Sequence, residues 1–382
     1  MNTSEVELSR PLPVQVFLTV SLSIVMLVAI GGNLMVFLAV SRNTSLRTQV
    51  ANTFIVNLAL TDFGCSVLVM PFSLVSMWHS HWVFSSFWCD AVCFFNYCFI
   101  ITSMSTLALI SVDRYIYVIY PLRYDVIMSR GRAMALALST WAVAVAFAVP
   151  PSSLDWVQYD NYEIICAIDW ETGDFGTSAI VYTTTAFVIC FLTPAAVMVY
   201  SYWGVFKVAR RHAARVLPVI HMTEQARPAT GVRREESPWS VTAGTDTQQT
   251  NRDRQESRHG SLASSSSSGS RERKQVTKAV KPILTMVVIY VVCNTPFSLT
   301  KLIKVVMAGN QTVPSYVSTL ASWMAFLNPA CNPMIYSIMR KDYQRVFWGF
   351  LPKSLQRYRR RDSEQGPTRK ATGLAVAVSG TP

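Results

Sequence analysis

Asp62 is the only acidic residue in the middle of any long apolar stretch of this chain. A carboxyl group in apolar surroundings is costly and marks a candidate functional site. Polar residues of four other apolar stretches could supply further oxygens: Asn33, Ser103, Asn328 and Asn332. Hard cations prefer several oxygen ligands, so the set predicts a cation or proton site. The alternative is a carboxyl group hydrogen-bonded to neighbouring hydroxyls for packing alone.

The triplet Asp113-Arg114-Tyr115 follows the third apolar stretch. A carboxylate beside an arginine can hold it in a local ion pair. Once released, the guanidinium would offer five hydrogen-bond donors to the backbone carbonyls of a partner. Ordinary anchoring at the membrane interface by arginine and tyrosine is the alternative.

The last apolar stretch contains Asn328-Pro329 and the run from Asn332-Pro333 to Tyr336. Proline in a helix frees a carbonyl and bends the axis, so this segment is predicted to be deformable. The following residues, Arg340 to Phe350, alternate basic and aromatic side chains. That pattern predicts a helix lying along the inner membrane surface.

Catalytic and metal-binding patterns are absent from the sequence. The five histidines are scattered, and we find neither a Ser/His/Asp arrangement nor a set of histidines at metal-ligand spacing. The sequence therefore does not predict an enzyme, and it predicts no cofactor other than a possible sodium ion.

The composition and its distribution indicate a membrane protein. Of the 382 residues, 51% are hydrophobic and only 15% charged, against about 25% in a typical soluble protein. A helix of about 20 apolar residues crosses the bilayer core. Seven stretches meet this test: 14–40, 48–77, 91–112, 133–154, 175–206, 282–300 and 305–339. The predicted fold is all-α, a bundle of seven transmembrane helices followed by a short amphipathic eighth helix.

The net charge of +12 indicates the orientation of the chain. Basic residues favour the cytoplasmic side of a membrane. With the N-terminus outside, only Arg10, Lys301 and Lys304 of the 34 Lys and Arg residues lie on the outer side. We therefore expect an extracellular N-terminus, with Asn2 and Asn310 as outward-facing glycosylation sequons.

The polar segments divide the chain into regions. Residues 1–13 are predicted to form the extracellular N-terminus, and residues 14–350 the transmembrane domain with its eighth helix. Within that domain, residues 216–273 are predicted to be a disordered third intracellular loop, because serine, threonine, glutamine and arginine predominate there. Residues 351–382 are predicted to be a disordered cytoplasmic tail.

Two of the eight cysteines are expected to form a disulfide bond. Cys89 lies at the outer end of the third stretch, and Cys166 lies in the following outer loop, so both face the oxidising compartment. Cys93, one helical turn from Cys89, is a weaker competitor for the pairing.

With these residues in hand, the chain from about residue 14 to 350 resembles a rhodopsin-like (class A) G-protein-coupled receptor. Each stretch has one of the family's marks, and the marks occur in the family's order. They are Gly32-Asn33, Leu58 to Asp62, Cys89 with Asp113-Arg114-Tyr115, Trp141, Pro194 with Tyr202, Pro296, and Asn332-Pro333 with Tyr336.

This resemblance implies how the chain would signal. Arg114 would bind the C-terminal helix of a G protein after the sixth helix swings outward, and Tyr202 and Tyr336 would stabilise the open state by bridging toward Arg114. The family's G-protein coupling residues correspond here to Asp113, Arg114, Tyr115, Tyr202 and Tyr336. Its sodium pocket, which favours the inactive state, corresponds to Asp62, Ser103, Asn328 and Asn332.

Three departures from the family pattern affect the expected mechanism. Asn294 replaces the tryptophan found two residues before Pro296 in most members. Val276 replaces the acid that often pairs with the arginine, and Pro329 replaces a serine of the sodium site. Together they motivate the hypothesis that the receptor signals appreciably without a ligand.

The ligand is not identified by the sequence. Asn96 stands where amine receptors have an aspartate, and Phe326 stands where opsins have the retinal-binding lysine. An ordinary amine site and retinal are therefore not expected. The tentative pocket consists of Asn96, Asn294, Phe297, Lys301 and Trp323. Lys301 could meet an acidic ligand, snorkel toward the membrane surface or pair with acids of the outer loop.

The chain looks most like orphan receptors, with local similarity at 81–89 and 113–122 to the one that restrains Hedgehog signalling at the primary cilium. The resemblance implies a multi-pass protein of the plasma membrane, or of the cilium. The expected partners are a heterotrimeric G protein, arrestin, receptor kinases, membrane lipids and an unknown ligand, but no nucleic acid. A multi-span transporter is the alternative function, although the stretches show neither paired repeats nor further charges.

Overall fold

The structure is a computed structural model that describes residues 10–168, 176–225, 281–304 and 313–350. Its helices are α1 (Leu12–Arg42), α2 (Thr44–Thr48), α3 (Ala51–Leu68), α4 (Met70–His79), α5 (Ser86–Ile119), α6 (Tyr124–Ile127), α7 (Arg130–Ser153), α8 (Gly176–Ala186), α9 (Thr193–Gln225), α10 (Lys281–Lys304), α11 (Ser315–Met339) and α12 (Lys341–Phe350). A 3-10 turn, Pro121–Arg123, precedes α6. A wide π-helical turn, Phe187–Leu192, joins α8 to α9.

Six helical segments are long and apolar enough to cross a membrane: Leu12–Arg42, Ala51–His79, Ser86–Ile119, Arg130–Ser153, Ile180–Val208 and Lys281–Lys304. The seventh predicted span is α11, which is 25 residues long and free of charged residues but less apolar than the six. Its asparagines and serines account for that difference, and residues 305–312 of the predicted span lie outside the described part of the chain.

The helix α5 is the centre of the bundle. It packs against α3, α7 and α9, whereas α1 packs against α3 and α11. In its most apolar window 67% of residues are buried, against 28% in α1 and in α7. Polar contacts add to this packing: Asn57 of α3 donates to Thr106 Oγ1 at 2.8 Å and accepts from Trp141 Nε1 at 2.8 Å.

The close approach of α1 to α11 depends on Gly32. A Cβ atom at this position would lie 2.7 Å from Cβ of Pro333, whose ring cannot rotate away. Next to this contact, Asn33 Nδ2 donates to the carbonyl oxygen of Pro329 at 3.0 Å. The carbonyl near this proline bend is thereby hydrogen-bonded across the helix interface.

We expect Gly32→Ala to destabilise the protein by about 1–3 kcal/mol, because the added methyl group overpacks the contact with Pro333. Gly31→Ala is the matched control, since a Cβ atom there would meet nothing within 4 Å. Thermal unfolding of the purified protein should show a lower Tm for Gly32→Ala only. Equal Tm changes in the two variants would contradict the prediction.

A β-hairpin lies between α7 and α8. Strand β1 (Val157–Asp160) pairs antiparallel with β2 (Ile165–Ile168), with Tyr159 opposite Cys166. All four residues of β2 are buried. The prediction of an all-α bundle is confirmed for the membrane-spanning part, but it missed this hairpin.

The turn of the hairpin is shaped by Asp160. Its Oδ1 accepts hydrogen bonds from the backbone N–H groups of Tyr162 at 2.8 Å and Glu163 at 3.0 Å. The next residue, Ile164, is buried and has a φ of 61°. A β-branched residue disfavours this left-handed region, so the turn depends on its surrounding contacts.

Two helices lie on the side that the charge distribution predicts to be cytoplasmic, here called the inner side, and they were predicted with different success. The amphipathic eighth helix is present as α12. The loop predicted to be disordered from residue 216 begins later, because α9 continues to Gln225. Three alanines, three arginines and one lysine lie between residues 207 and 225, and these good helix formers favour the continuation of α9. The rest of that loop and the tail 351–382 lie outside the described residues.

Candidate functional site

The Asp113–Arg114 pair lies at the inner end of α5. Arg114 Nε donates to Asp113 Oδ2 at 2.8 Å, and an ion pair from the same guanidinium adds a second contact. The Tyr124 hydroxyl donates to Asp113 Oδ1 at 2.7 Å. The buried carboxylate is thus hydrogen-bonded on both oxygens, which is what makes a buried charge tolerable.

Tyr124 was missed by the sequence interpretation, because it lies in α6, eleven residues from Asp113 and outside the third stretch. Burial, together with the negative charge of Asp113, raises the pKa of Tyr124. The phenol therefore remains a hydrogen-bond donor at neutral pH. A tyrosine in the short helix after an Asp-Arg-Tyr triplet is the only signal that could have suggested it.

The three tyrosines predicted for G-protein coupling do not meet at Arg114. Tyr115 packs against α9, where its ring lies 5.9 Å from that of Tyr200. Tyr336 is buried, stacks on Tyr343 at 5.4 Å, and its hydroxyl has no hydrogen-bond partner among the described residues. Tyr202 lies near Ser111 and Arg114 of α5. Bridging of Tyr202 and Tyr336 toward Arg114 therefore stays a prediction.

A cavity of about 930 Å³ opens between the inner ends of α3, α5, α10 and α12. Its described lining contains more cations than acids. The charged lining residues are Arg114, Lys281, Arg340, Lys341, Arg345, Asp125 and Asp342. An inner cavity with this charge is suited to an acidic or carbonyl-rich peptide segment.

The cavity wall is held in place where α12 turns away from α11. Tyr343 is completely buried, and its hydroxyl donates to Asn52 Oδ1 at 3.2 Å. The guanidinium of Arg340 lies over the Tyr343 ring, 4.8 Å from its centroid. Burial raises the pKa of Tyr343 to about 12, so its hydroxyl also stays protonated.

Asp62 lies in the middle of the bundle and is only 2% exposed. Asn332 Nδ2 donates to Asp62 Oδ2 at 2.8 Å. Asp62, Ser103 and Asn328 line a small cavity of about 30 Å³. This cavity has room for one or two water molecules. The structure therefore brings together Asp62, Ser103, Asn328 and Asn332.

These residues fit a small cation. The Asn328 Oδ1 atom is buried without a hydrogen-bond partner among the described residues, and it borders the same cavity as the Asp62 carboxyl group. Thr61, which the sequence interpretation missed, shares a 2.7 Å hydrogen bond with Ser103 and also lines the cavity. Asn33 is not part of the described lining of this cavity; its Nδ2 donates to the carbonyl oxygen of Pro329, and its buried Oδ1 has no hydrogen-bond partner among the described residues.

Three of the five tentative ligand-pocket residues line the outer part of the Asp62 cavity: Asn96, Asn294 and Phe297. Phe326, at the position of the opsin lysine, lines it too. Trp323 packs in the neighbouring apolar cluster instead, and its buried indole N–H has no partner among the described residues. Trp323 was predicted to line the ligand pocket, but it lines neither the Asp62 cavity nor the second cavity described below.

Tyr290 was not predicted, although it borders two cavities. It lines the Asp62 cavity and a second cavity of about 120 Å³ that lies farther out, and its hydroxyl donates to the carbonyl oxygen of Ile100 at 3.1 Å. Four residues on, Asn294 Nδ2 donates to the Tyr290 carbonyl oxygen at 3.1 Å. Tyr290 and Asn294 are four residues apart and therefore lie on the same face of α10. This spacing is the signal that could have identified Tyr290 from the sequence.

The predicted disulfide bond between Cys89 and Cys166 is present, with a Cα–Cα distance of 5.4 Å. Cys93, the competitor, is a free and buried thiol in the same cluster. The bond ties β2 to the outer end of α5.

The hairpin turn also contacts α10 through ion pairs between side chains. Lys301 pairs with Glu163, and Lys304 Nζ lies 2.7 Å from Glu163 Oε1 and 2.8 Å from Asp160 Oδ2. Burial raises the pKa of Asp160, but the ammonium groups of Lys304 and Lys301 and the backbone hydrogen bond from Glu163 together outweigh it, so the pKa is lower than that of an ordinary aspartate. The two lysines thus pair with loop acids, which is one of the three alternatives that the sequence left open for Lys301.

Comparison with known proteins establishes the family. Residues 32–336 match the model of the 7 transmembrane receptor (rhodopsin family), so the chain belongs to that family and is a multi-pass membrane protein. The predicted resemblance is confirmed. The family consists of receptors rather than enzymes, and this membership favours a receptor over a transporter.

Three relatives illustrate the match. Bovine G protein-coupled receptor 161 is 28% identical over 83% of this chain and 56% of its own length. The rat alpha-1D adrenergic receptor is 32% identical over 90% of this chain and 58% of its own length. The human 5-hydroxytryptamine receptor 4 is 28% identical over 91% of this chain and 82% of its own length. The chain thus spans between half and three fifths of the first two relatives.

Proposed function

We propose that the chain is a receptor that activates heterotrimeric G proteins through outward movement of α10. The observation that supports this most is the Asp113–Arg114–Tyr124 arrangement at the mouth of the basic inner cavity. The carboxylate holds the arginine while the receptor is closed. Release of the arginine would present its donors to the backbone carbonyls of an inserted helix.

Nucleotide exchange on a panel of G proteins, with purified receptor and no ligand, tests this proposal. Arg114→Ala should abolish exchange, whereas Arg130→Ala, which removes an exposed arginine outside the inner cavity, should leave it unchanged. The Asp113→Asn variant is included because it opens the ion pair without a ligand. Silence of both wild type and Asp113→Asn toward every G-protein class would overturn the proposal.

The receptor is further proposed to signal without a ligand. Asn294 leaves a small side chain, hydrogen-bonded within its own helix, where most members have a tryptophan. Val276, the second departure, lies outside the described residues. Measurable exchange by the unliganded wild type in the same panel would support this proposal, and background exchange beside an active Asp113→Asn variant would contradict it.

Sodium binding at Asp62 is also proposed, with Ser103 and Asn328 as further oxygen ligands. The bound ion would supply a positive charge that neutralises the buried carboxylate and favours the closed state. The residues themselves support this: the carboxyl group is almost completely buried, and Asn328 Oδ1 is unpartnered among the described residues.

We expect 150 mM sodium, on the order of physiological ionic strength, to raise the Tm of the wild-type receptor relative to choline at equal concentration. Asp62→Asn should remove this difference. Asp90→Asn, an acid at the outer end of α5, should keep it. A sodium effect that survives in Asp62→Asn would place the ion elsewhere.

The remaining proposals concern location and partners. We propose that the N-terminus is extracellular, that the receptor resides in the plasma membrane or the ciliary membrane, and that arrestin, receptor kinases and membrane lipids are further partners. The excess of Lys and Arg in the inner segments supports the orientation. The sequons at Asn2 and Asn310 lie outside the described residues.

A further inference from the structure

The second cavity, of about 120 Å³, lies between α5, α10 and the junction of α8 with α9. Its lining is almost entirely aromatic and aliphatic, including Ile101, Phe187, Phe191 and Phe297. Lys301 is the only charged residue of the described lining. An apolar cavity with one cation at its rim is chemically suited to a ligand that has an apolar body and one negative end.

The ammonium group of Lys301 is already occupied by a carboxylate from the same chain. It pairs with Glu163 of the hairpin turn and lies over the Phe297 ring, 5.3 Å from its centroid. Residues 138 positions apart therefore meet at the rim. Lys301 therefore already binds a carboxylate in this structure.

Exchange of this carboxylate for another would leave no charge unpaired. Glu163 Oε1 is 2.7 Å from Lys304 Nζ, so Glu163 keeps one ammonium partner if Lys301 binds another acid. Leaving a buried charge without any partner is what makes removal of an ion pair costly. That penalty is avoided at this rim because two lysines of α10 contact Glu163.

The charge of the surrounding cluster also favours an added anion. Arg10 lies near Asp160, hydrogen-bonds to the carbonyl oxygen of Asn161, and its Nη1 is buried without a partner among the described residues. With Lys301 and Lys304, the described cluster has three cations. Asp160 and Glu163 are its two carboxylates, so one positive charge remains.

We propose that this cavity binds an amphipathic carboxylic acid, with its apolar body between α5 and α10 and its carboxylate on Lys301 in place of Glu163. This inference deepens the proposed function by naming a ligand class for the receptor. Binding is measured without a G protein, so a failure of binding and a failure of coupling are separate results.

The probe is 3-phenylpropanoate, titrated against the full-length purified receptor by thermal unfolding and by calorimetry. The control ligand is 3-phenylpropan-1-ol, which has the same apolar body and no charge. The acid should raise Tm with concentration, and the alcohol should bind at least about tenfold more weakly, because a charge-assisted contact is lost.

The variants separate the role of each charge. Glu163→Gln should increase the affinity for the acid by at least about tenfold, since the internal competitor is neutralised. Lys301→Gln should reduce it by at least about tenfold. Lys304→Gln should also weaken binding of the acid, because a displaced Glu163 would then have no ammonium partner. Asp155→Asn, which removes an exposed acid outside the cavity lining, should stay within about threefold of wild type.

Equal binding of acid and alcohol to the wild type, or equal affinity of wild type and Lys301→Gln for the acid, would overturn the proposal. If Lys301→Gln does not fold, the comparison of wild type with Glu163→Gln decides alone. A Glu163→Gln receptor that gains no affinity for the acid would also overturn it, because the carboxylate would then not compete for Lys301.

Discussion

Replacing Asp113 by asparagine should raise nucleotide exchange by the unliganded receptor by about tenfold to a hundredfold. Asp113 is completely buried and its two oxygens bind Arg114 and Tyr124, so the loss of its charge weakens contacts of the closed state. Hydrogen bonds to charged groups contribute about 1.5–3 kcal/mol, and each 1.4 kcal/mol changes an equilibrium tenfold. The ratio of open to closed receptor would therefore rise by about tenfold to a hundredfold.

Asp125→Asn is the matched control for this substitution. It removes the same charge from an exposed acid of α6 that lines the same cavity but does not bind Arg114 in the structure. Exchange should then stay near the wild-type rate. If both variants raised exchange equally, the general charge of the inner face would be responsible, and the buried ion pair would not be the restraint.

Replacing Cys166 by serine should cause the largest loss of stability. The disulfide joins residues 77 positions apart, and closing a loop of that length stabilises a protein by about 4 kcal/mol in the chain-entropy model. The bond also keeps β2 at the outer end of α5. We therefore expect a marked fall in Tm and in the amount of receptor at the cell surface.

Cys93→Ser serves as the control, because it changes a buried free thiol in the same cluster. Its Tm should fall much less. A reductant should lower the Tm of the wild type and of Cys93→Ser but leave that of Cys166→Ser unchanged. A reductant-sensitive Cys166→Ser receptor would show that another bond carries the stability.

The membrane-spanning helices and the buried polar residues could be predicted because each depends on local composition. Absence of charge over about 20 residues is enough to identify a span. Asp62 stood out for the same reason, since it interrupts one such stretch. The positions of Cys89 and Cys166 followed from the side of the membrane on which each lies.

The sequence offered pairing of Lys301 with an acid of the outer loop as one alternative, but it did not identify the acid, because such contacts join distant residues through irregular segments. Glu163 reaches Lys301 only because Asp160 and Ile164 shape the turn of the hairpin, and neither a helical nor a strand period encodes that shape. The donor role of Asn332 toward Asp62 likewise required the geometry, since an amide can offer either its oxygen or its nitrogen.

Asn294 shows how one replaced residue alters the interior. Its amide is bound to the Tyr290 carbonyl oxygen of its own helix, and Tyr290 and Phe297 border both the Asp62 cavity and the outer apolar cavity. Two aromatic side chains thus separate the two spaces where most family members have a tryptophan. A ligand in the outer cavity would contact the same two rings that border the Asp62 site.

The π-helical turn at Phe187–Leu192 has a consequence for comparative genomics. In such a turn the hydrogen bonds span five residues instead of four, as the Thr193 amide bonded to Val188 shows, so one extra residue fits without displacing the helix on either side. An insertion or deletion of one codon here would change the cavity wall at Phe187 and Phe191 while leaving Tyr202 at its depth. Orthologues aligned without a gap in this turn would therefore be compared one position out of register on one side of it.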